Sequence, residues 1–419
     1  MTRIEIVSYS DSVGGASRAA YRLYRALRHS EGSARMTVME KKTDDWGISG
    51  PSNVIEKAKR YIRPKIGGRI VALQRSHDGI QHSTNLLPSN FSHDLNRRDT
   101  DVVNLHWVGG ETMSIEDLGR IRKPVVWTFH DMWPLCGAEH FADDGADARW
   151  RSGYFPHNRR SGASGLDIDR YTWNRKRRAW HNPVQVVTPS RWLANCVGAS
   201  SLMKDWPVAV IPNVIDTDIF KPLDRVHSRH ALSLPLDRKI VMFGALGGVR
   251  DARKGYDLLR DALNILSAEP GEIQCVVFGQ GEPERASSIP FPIKWMGHIH
   301  DDTTLALLYS AADVMVTPSR QENLPQSATE AHACGCPVVA FDCTGLPDVV
   351  VHQETGYLAR PFDPADLAHG IAWVLADMPR RARLGAAARD RALQLWSPGA
   401  IVPAYLALFD AVARRSGTG

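Results

Sequence analysis

Two glutamates eight residues apart, Glu322 and Glu330, stand in the stretch Thr317-Pro-Ser-Arg-Gln-Glu-Asn-Leu-Pro-Gln-Ser-Ala-Thr-Glu-Ala-His-Ala-Cys-Gly-Cys-Pro-Val-Val-Ala-Phe341. The pattern predicts a strand end, a loop, a helix opening near Leu324–Gln326, a stop at Gly335 and the next strand. Glu322 falls in the loop and Glu330 about two turns into the helix. A helix opening there turns its first backbone N–H groups, and the positive end of its dipole, toward the crevice beyond the strand ends, where a phosphate can sit. A carboxylate at Glu330 can accept both hydroxyls of a ribose. One at Glu322 can hold sugar hydroxyls beside the phosphate.

Strand-like runs alternate with helical patterns along the whole chain. The first half has Ile4–Ser8, Met36–Met39, Val102–Leu105, Val125–Phe129 and Val184–Thr188. The second has Ile240–Gly244, Ile273–Phe278, Ile293–Met296, Val314–Thr317 and Pro337–Phe341. Apolar, β-rich runs separated by helices read as βαβ units around parallel sheets, and two such sets predict two Rossmann-like domains. The 419 residues suit two to three domains, with the link near Ile211-Pro-Asn-Val-Ile-Asp216. Residues 142–165, rich in Asp, Gly, Arg and Ser, read as a long loop.

Charged residues make up 23% and apolar residues 43%, ordinary values that exclude disorder, collagen and coiled coil. No run of about 18 apolar residues occurs, which predicts no membrane span. The first strand begins so near Met1 that no signal peptide is expected. Six cysteines without CxxC spacing fit a reducing cytosol rather than a zinc ribbon or a disulfide framework. Charge is uneven: up to Ile215 there are 31 Lys+Arg against 22 Asp+Glu, and afterwards 20 against 24. The excess gathers in residues 53–75, with Lys57, Lys59, Arg60, Arg63, Lys65, Arg69 and Arg75 among aliphatics and Tyr61. It gathers again in residues 170–178, with Arg170, Arg175, Lys176, Arg177 and Arg178 beside Tyr171, Trp173 and Trp180. Both segments are candidates for an anionic membrane surface, a solvated helix face being the plain alternative; nucleic acid is not expected as a partner. Pro64 and Gly67-Gly68 are expected to break the first segment into pieces.

Flanked by its strand, by Ala-Cys-Gly-Cys-Pro-Val-Val and by Thr344-Gly345-Leu-Pro-Asp-Val-Val350, the glutamate pair resembles the Glu–seven residues–Glu motif of the retaining family-four glycosyltransferases. These use nucleotide sugars and have the GT-B architecture. The chain is especially similar to the bacterial branch making exopolysaccharides of the colanic-acid type. The resemblance implies an α/β fold with two Rossmann-like domains facing a central cleft. Residues 1–211 would form the acceptor domain and 212–395 the nucleotide-sugar donor domain, and residues 396–419 would form a C-terminal helix crossing back to the first domain. It implies donor contacts at Gly14 and Gly15, after the first strand, and at Lys254 with Arg253 (Arg250 as the rival), which neutralise the donor diphosphate. Gly297, His298, Asn323, Leu324 and Glu330 complete the donor set. It places His130 near the donor sugar, with Asp131 beside it toward the acceptor, and gives these two and Glu322 as catalytic; His106 is a weaker candidate. Asn213 and Asp216 resemble an interdomain signature and read as hinge and cap residues. No metal and no cofactor are implied, so fixed cations and helix N-termini must stabilise the leaving diphosphate.

Two departures from the family pattern stand out. Asn323-Leu324-Pro325 replaces the Gly-Phe-Gly of many relatives, which changes the backbone offered to the donor sugar. After His130-Asp-Met-Trp133 the chain keeps Cys136 and His140 but has Glu139 and Gly153-Tyr-Phe-Pro156 where close relatives carry cysteines, so no metal or disulfide cluster is expected in that loop. The expected activity is transfer of a sugar, with retention, from a nucleotide diphosphate sugar to an acceptor hydroxyl, on a lipid-linked or other oligosaccharide in polysaccharide biosynthesis. The expected place is the cytoplasm, peripheral on the inner face of the cell membrane. The alternative is a non-catalytic nucleotide-sugar or carbohydrate-binding protein on the same scaffold. A nucleic-acid binder gives the glutamate pair no role, and an epimerase needs acid–base carboxylates in both domains.

Overall fold

The computed structural model describes residues 2–31, 34–75, 79–244, 247, 251–267, 271–283 and 289–416. The chain divides into two units, one of residues 1–211 together with the stretch from Val402 onward, the other of residues 212–401.

The first unit is built on a parallel sheet of β1 (Ile4–Ser10), β2 (Ala34–Glu40), β3 (Ile48–Ser49), β4 (Val102–Leu105), β5 (Val125–Thr128), β6 (Gln185–Thr188) and β7 (Val208–Val210), in the order β3-β2-β1-β4-β5-β6-β7. The second has β8 (Lys239–Gly244), β9 (Ile273–Phe278), β10 (Ile293–Trp295), β11 (Val314–Thr317), β12 (Val338–Phe341) and β13 (Gly356–Ala359), in the order β10-β9-β8-β11-β12-β13, again parallel. Every residue of β4, β5, β9, β11 and β12 is buried, as expected of parallel strands covered by helices on both faces. Strand order reverses between β1 and β4 in one unit and between β8 and β11 in the other. Those switch points are where such sheets open a crevice beyond their carboxyl ends.

Three strands escape the sequence pattern. The short strands β3 and β7 lie at the two edges of their sheet, and Val208 and Val210 of β7 stay largely exposed, so no hydrophobic run marks it. β13 begins at a glycine because a Cβ at Gly356 would lie 1.9 Å from the Val338 carbonyl oxygen; in a sequence that glycine reads as a turn.

Three expectations from the sequence are corrected. Residues Val54–Val71 form one helix that runs through Pro64 and Gly67-Gly68. Its second half is anchored rather than broken. Gly67 packs where a Cβ would meet the Glu111 side chain at 2.7 Å, and Arg63 donates to the carbonyls of Leu87, Pro88 and Glu111 at 2.7–2.8 Å. The long loop of residues 142–165 is not wholly irregular: it holds a short helix, Arg149–Ser152, and is pinned by the buried Trp150 and Tyr154, Trp150 Nε1 donating to the Asp143 carbonyl at 2.8 Å. The basic segment 170–178 is only in part a surface. Arg175 is buried, donating to Glu116 and to the carbonyls of Thr84 and Asn85. Lys176 is fully buried, donating to the carbonyls of Trp133, Cys136 and Gly137, with its Nζ 3.8 Å from the centre of the Trp133 ring. Burial pushes its ammonium pKa down to about 7.

The stretch Met378–Arg415 is long and apolar enough, by composition, to cross a bilayer. It is two helices, Met378–Trp396 and Pro398–Ser416, parted at Ser397 by extended backbone. Trp396, Ile401, Val402, Tyr405 and Phe409 are buried in the protein core. Residues 402–416 pack with the first unit, where Tyr405 OH lies 3.3 Å from Thr128 Oγ1 of β5. All six cysteines are free thiols.

Candidate active site

In the second unit, chemistry collects at the switch point. β8 leads to a single 3₁₀ turn, Ala252–Lys254, ended by Gly255 in the left-handed region at φ +67°. A Cβ there would lie 1.9 Å from the Pro318 carbonyl oxygen. Glycine therefore lets the lysine-bearing turn press against the loop that follows β11, and the Arg320 N–H seals the contact on the Arg253 carbonyl at 2.7 Å. The result is an ion pair: Lys254 Nζ lies 2.5 Å from Glu322 Oε1, which also accepts from Ser319 Oγ at 3.1 Å. The backbone of Glu322 is fixed on both sides. Its N–H donates to Thr344 Oγ1 at 3.1 Å, and its carbonyl accepts from Gly345 N at 2.9 Å. Gly345 is required there, since a Cβ would fall 1.4 Å from the Asn323 carbonyl oxygen.

Asn323 and Leu324 are buried beside the pair, and the helix Gln326–Ala333 begins after Pro325, which makes no side-chain cap bond. Glu330 lies within that helix, almost wholly buried, and accepts from Tyr309 OH at 2.8 Å. The glutamates thus divide the work: Glu322 is tied to the cation and Glu330 to a phenol. Arg253 folds back on Asp251, 2.6 Å away, while Arg250 lies outside the described residues. The loops after β9 and β10 are zipped together, Gly279 N–H donating to the Gly297 carbonyl at 2.8 Å; Gly297 has φ +66° and the following His298 is exposed. A lysine ammonium, a helix N-terminus and two held carboxylates within one unit suit a diphosphate with hydroxyls on either side.

In the first unit, Gly14 has φ +82° and opens, with Gly15, the helix Gly14–Glu31 directly after β1. His130 follows β5 and joins a chain of side chains. His130 Nε2 lies 2.8 Å from His106 Nδ1, and His106 Nε2 lies 2.9 Å from Asn104 Oδ1. The Asn104 amide donates to the Val126 carbonyl and to Thr128 Oγ1, so its oxygen faces His106. An amide oxygen only accepts, so His106 Nε2 carries the proton and its Nδ1 accepts from His130 Nε2–H. His130 Nδ1 is then the acceptor nitrogen of a neutral ring. Burial pushes the His130 pKa down to about 4 and that of His106 well below the usual range. A neutral imidazole can orient a sugar hydroxyl; it does not supply a proton.

Asp131 is differently placed. Its oxygens accept from Trp107 Nε1 at 2.8 Å, His140 Nδ1 at 2.6 Å and Trp133 N at 3.0 Å. Burial alone would raise its pKa, but His140 and these N–H donors outweigh that and hold it below the usual carboxylate range. Sequence reasoning missed Ser319, Thr344, Tyr309 and Asn104, the groups that hold Glu322, Glu330 and His106. Asn104 had a visible signal, its two-residue spacing from His106, which directly follows β4, and Ser319 and Thr344 stood within the motif without an assigned role.

Two family models match the chain: Glycosyltransferase Family 4 over residues 13–219 and Glycosyl transferases group 1 over residues 237–377. Between them they take in His130, Lys254, Glu322 and Glu330. The D-inositol 3-phosphate glycosyltransferase of Xylanimonas cellulosilytica is 35% identical over 198 residues, 43% of this chain and 46% of that protein. Its counterpart in Geodermatophilus obscurus is 33% identical over 225 residues, 49% of each. The chain therefore spans about half the length of the curated relatives it matches. Among solved structures, a sucrose-phosphate synthase from Thermosynechococcus elongatus gives a TM-score of 0.64 at 19% identity, covering 100% of this chain and 98% of that one. HepE of Anabaena in complex with UDP-glucose gives 0.63 at 16% identity, covering 100% of both. At such identities these two likenesses speak to the fold alone. With matches along both units and a shared GT-B fold, the chain belongs to the family-four, group 1, glycosyltransferases.

Proposed function

We propose that the chain transfers a sugar, with retention of anomeric configuration, from a nucleoside diphosphate sugar to an acceptor hydroxyl on a lipid-linked or other oligosaccharide. The observation that carries this reading is the Lys254–Glu322 pair at the switch point, with Glu330 on the helix that follows. Lys254 neutralises the departing diphosphate, Glu330 holds the ribose, and Glu322 holds the transferred sugar. HepE is known bound to UDP and to UDP-glucose, which supports a uridine nucleotide as the first donor to try. Thermal shift with UDP-, GDP-, ADP- and dTDP-sugars tests it. One nucleotide class raises the melting temperature of the wild type and leaves Glu330→Ala unmoved. Indifference to all four classes sinks the reading, and binding without turnover on any acceptor sinks the transferase in favour of a binding protein.

The acceptor side of the proposal includes a cytoplasmic position on the inner membrane face. It is supported by the helix Val54–Val71, where Val54 is 82% exposed and Ile55 68%, beside the exposed Lys57 and Lys59. Apolar side chains beside lysines suit an anionic headgroup layer, each cation contributing about 1 kcal/mol. Co-sedimentation with phosphatidylglycerol vesicles is expected to fall about tenfold or more on reversing both lysines (K57E/K59E), and to be weak on neutral vesicles. Equal binding by variant and wild type removes the membrane from the proposal.

A further inference from the structure

Three side chains from three separate segments meet behind the loop that follows β5. His82 belongs to a bridging segment before β4, Glu139 to the loop itself, and Asp169 to the first turn of the helix Ile168–Ala179. One ring nitrogen of His82 and one carboxylate oxygen each of Glu139 and Asp169 lie within 4.8 Å of one another. The backbone builds this meeting. His82 and Glu139 face each other in an antiparallel bridge, flanked by Ser83 N–H on the Ala138 carbonyl at 2.7 Å and His140 N–H on the Gln81 carbonyl at 2.9 Å. Gly137 lets the loop touch the helix, since a Cβ there would lie 2.4 Å from the Asp169 carbonyl oxygen.

The polar atoms are arranged as around a cation. His82 Nδ1 lies 2.8 Å from the Ile80 carbonyl, which only accepts, so Nδ1 carries a proton and Nε2 is the nitrogen turned to the carboxylates, 3.5 Å from Asp169 Oδ1. Metal-binding imidazoles are held by carbonyls in this way. Glu139 is 8% exposed. Its Oε1 accepts from Tyr154 OH, while its Oε2 is buried with no hydrogen-bond partner among the described residues. Asp169 Oδ2 accepts from Gln74 Nε2 at 2.6 Å. The buried ammonium of Lys176 does not relieve the two acids by hydrogen bonding, because it donates to three carbonyl oxygens. Two carboxylates whose oxygens lie within 4.8 Å of one another, one of them on the buried Glu139, repel unless a proton or a cation lies between them.

We propose that His82, Glu139 and Asp169 bind a first-row divalent cation, zinc in the first instance, through one imidazole nitrogen and two carboxylate oxygens, with water completing the shell. The cation braces the fold. It ties the segment before β4 and the helix Ile168–Ala179 to the loop that carries His140, the residue paired with Asp131.

The test uses the full chain, stripped with EDTA, dialysed, and titrated with Zn²⁺ while bound metal is measured by mass spectrometry. One tight equivalent per chain is expected, with a raised melting temperature, and Co²⁺ in its place is expected to give a visible d–d band. Glu139→Gln weakens that equivalent about a hundredfold or more. His82→Gln does the same and serves if the first variant fails to fold. A proton shared by the two acids is the rival: the stripped wild type then takes up no stoichiometric zinc, and metal-free Glu139→Gln melts higher than metal-free wild type. Either result overturns the proposal. So does an equivalent retained by both variants, which places the metal elsewhere among the 16 histidines.

Discussion

Replacing Lys254 by methionine is expected to lower kcat/KM with the preferred nucleoside diphosphate sugar about a hundred- to a thousandfold, the usual effect of removing one fixed group that meets developing charge. Some loss of stability is expected beside it. The pair with Glu322 is largely shielded from water, its side chains 22% and 12% exposed, so the loss exceeds the about 0–1 kcal/mol of a surface pair, and kcat/KM is compared at a temperature where both proteins are folded. Methionine keeps the stem of the side chain and removes only the charge. What it exposes is the carboxylate of Glu322, held in place by Ser319, Thr344 and Gly345 whether or not the lysine is there. The variant therefore loses an attraction for the diphosphate and gains a repulsion. Adding Glu322→Gln is expected to restore part of the nucleotide affinity, by removing the repulsion, without restoring the rate. That split between binding and turnover is read from titration calorimetry beside kinetics. A loss under about tenfold for the single variant, ~1.4 kcal/mol, leaves the lysine without a role at the leaving group.

What the chain reveals before folding is what is local. Lys254, Glu322 and Glu330 were legible because each sits in a strand–loop–helix unit whose parts lie within a few residues of one another. The pairing of the lysine with Glu322 was not legible. It depends on Gly255 and Gly345 letting three loops touch, a matter of backbone approach that composition does not encode. Tyr309 was invisible for a similar reason, being 21 residues from Glu330 and on a neighbouring helix. The segment 170–178 shows the limit of counting charges. Its arginines and lysine look alike in sequence, yet helical spacing turns Arg175 and Lys176 inward and leaves Arg170, Arg177 and Arg178 on the surface. Pro64 misled in the other direction, because a proline within a helix ends it only if nothing else holds the two parts in line. Here the Arg63 bonds and the Gly67 contact with Glu111 do so.

Acid is expected to weaken this protein before its ordinary carboxylates are protonated. Among the described residues, burial holds the imidazoles of His106 and His130 in the first unit and His332 in the second in neutral form. Burial pushes His130 to about 4, His332 to about 3, and His106 well below the ordinary value. The charge of Asp131 works against the shift at His130, while that of Arg391 adds to it at His332. In the unfolded chain each titrates near 6.5. Between that value and the folded one, the unfolded state binds a proton that the folded state refuses, so stability rises with pH in this window. The contribution is therefore full above about pH 6.5 and is lost as pH falls toward 4 for His130 and toward 3 for His332. At about 1.4 kcal/mol per pH unit, each fully buried ring costs about 2 kcal/mol by pH 5, and His130, which keeps some contact with water, costs less. Urea unfolding near pH 7 and near pH 5 measures the difference. His332 stacks on Trp396 with ring centres 6.0 Å apart, so His332→Leu keeps an apolar neighbour there and removes the titration. That variant is expected to cut the acid loss by about 2 kcal/mol. An unchanged loss in His332→Leu means that the ring is already protonated, or already open to water, in the folded chain.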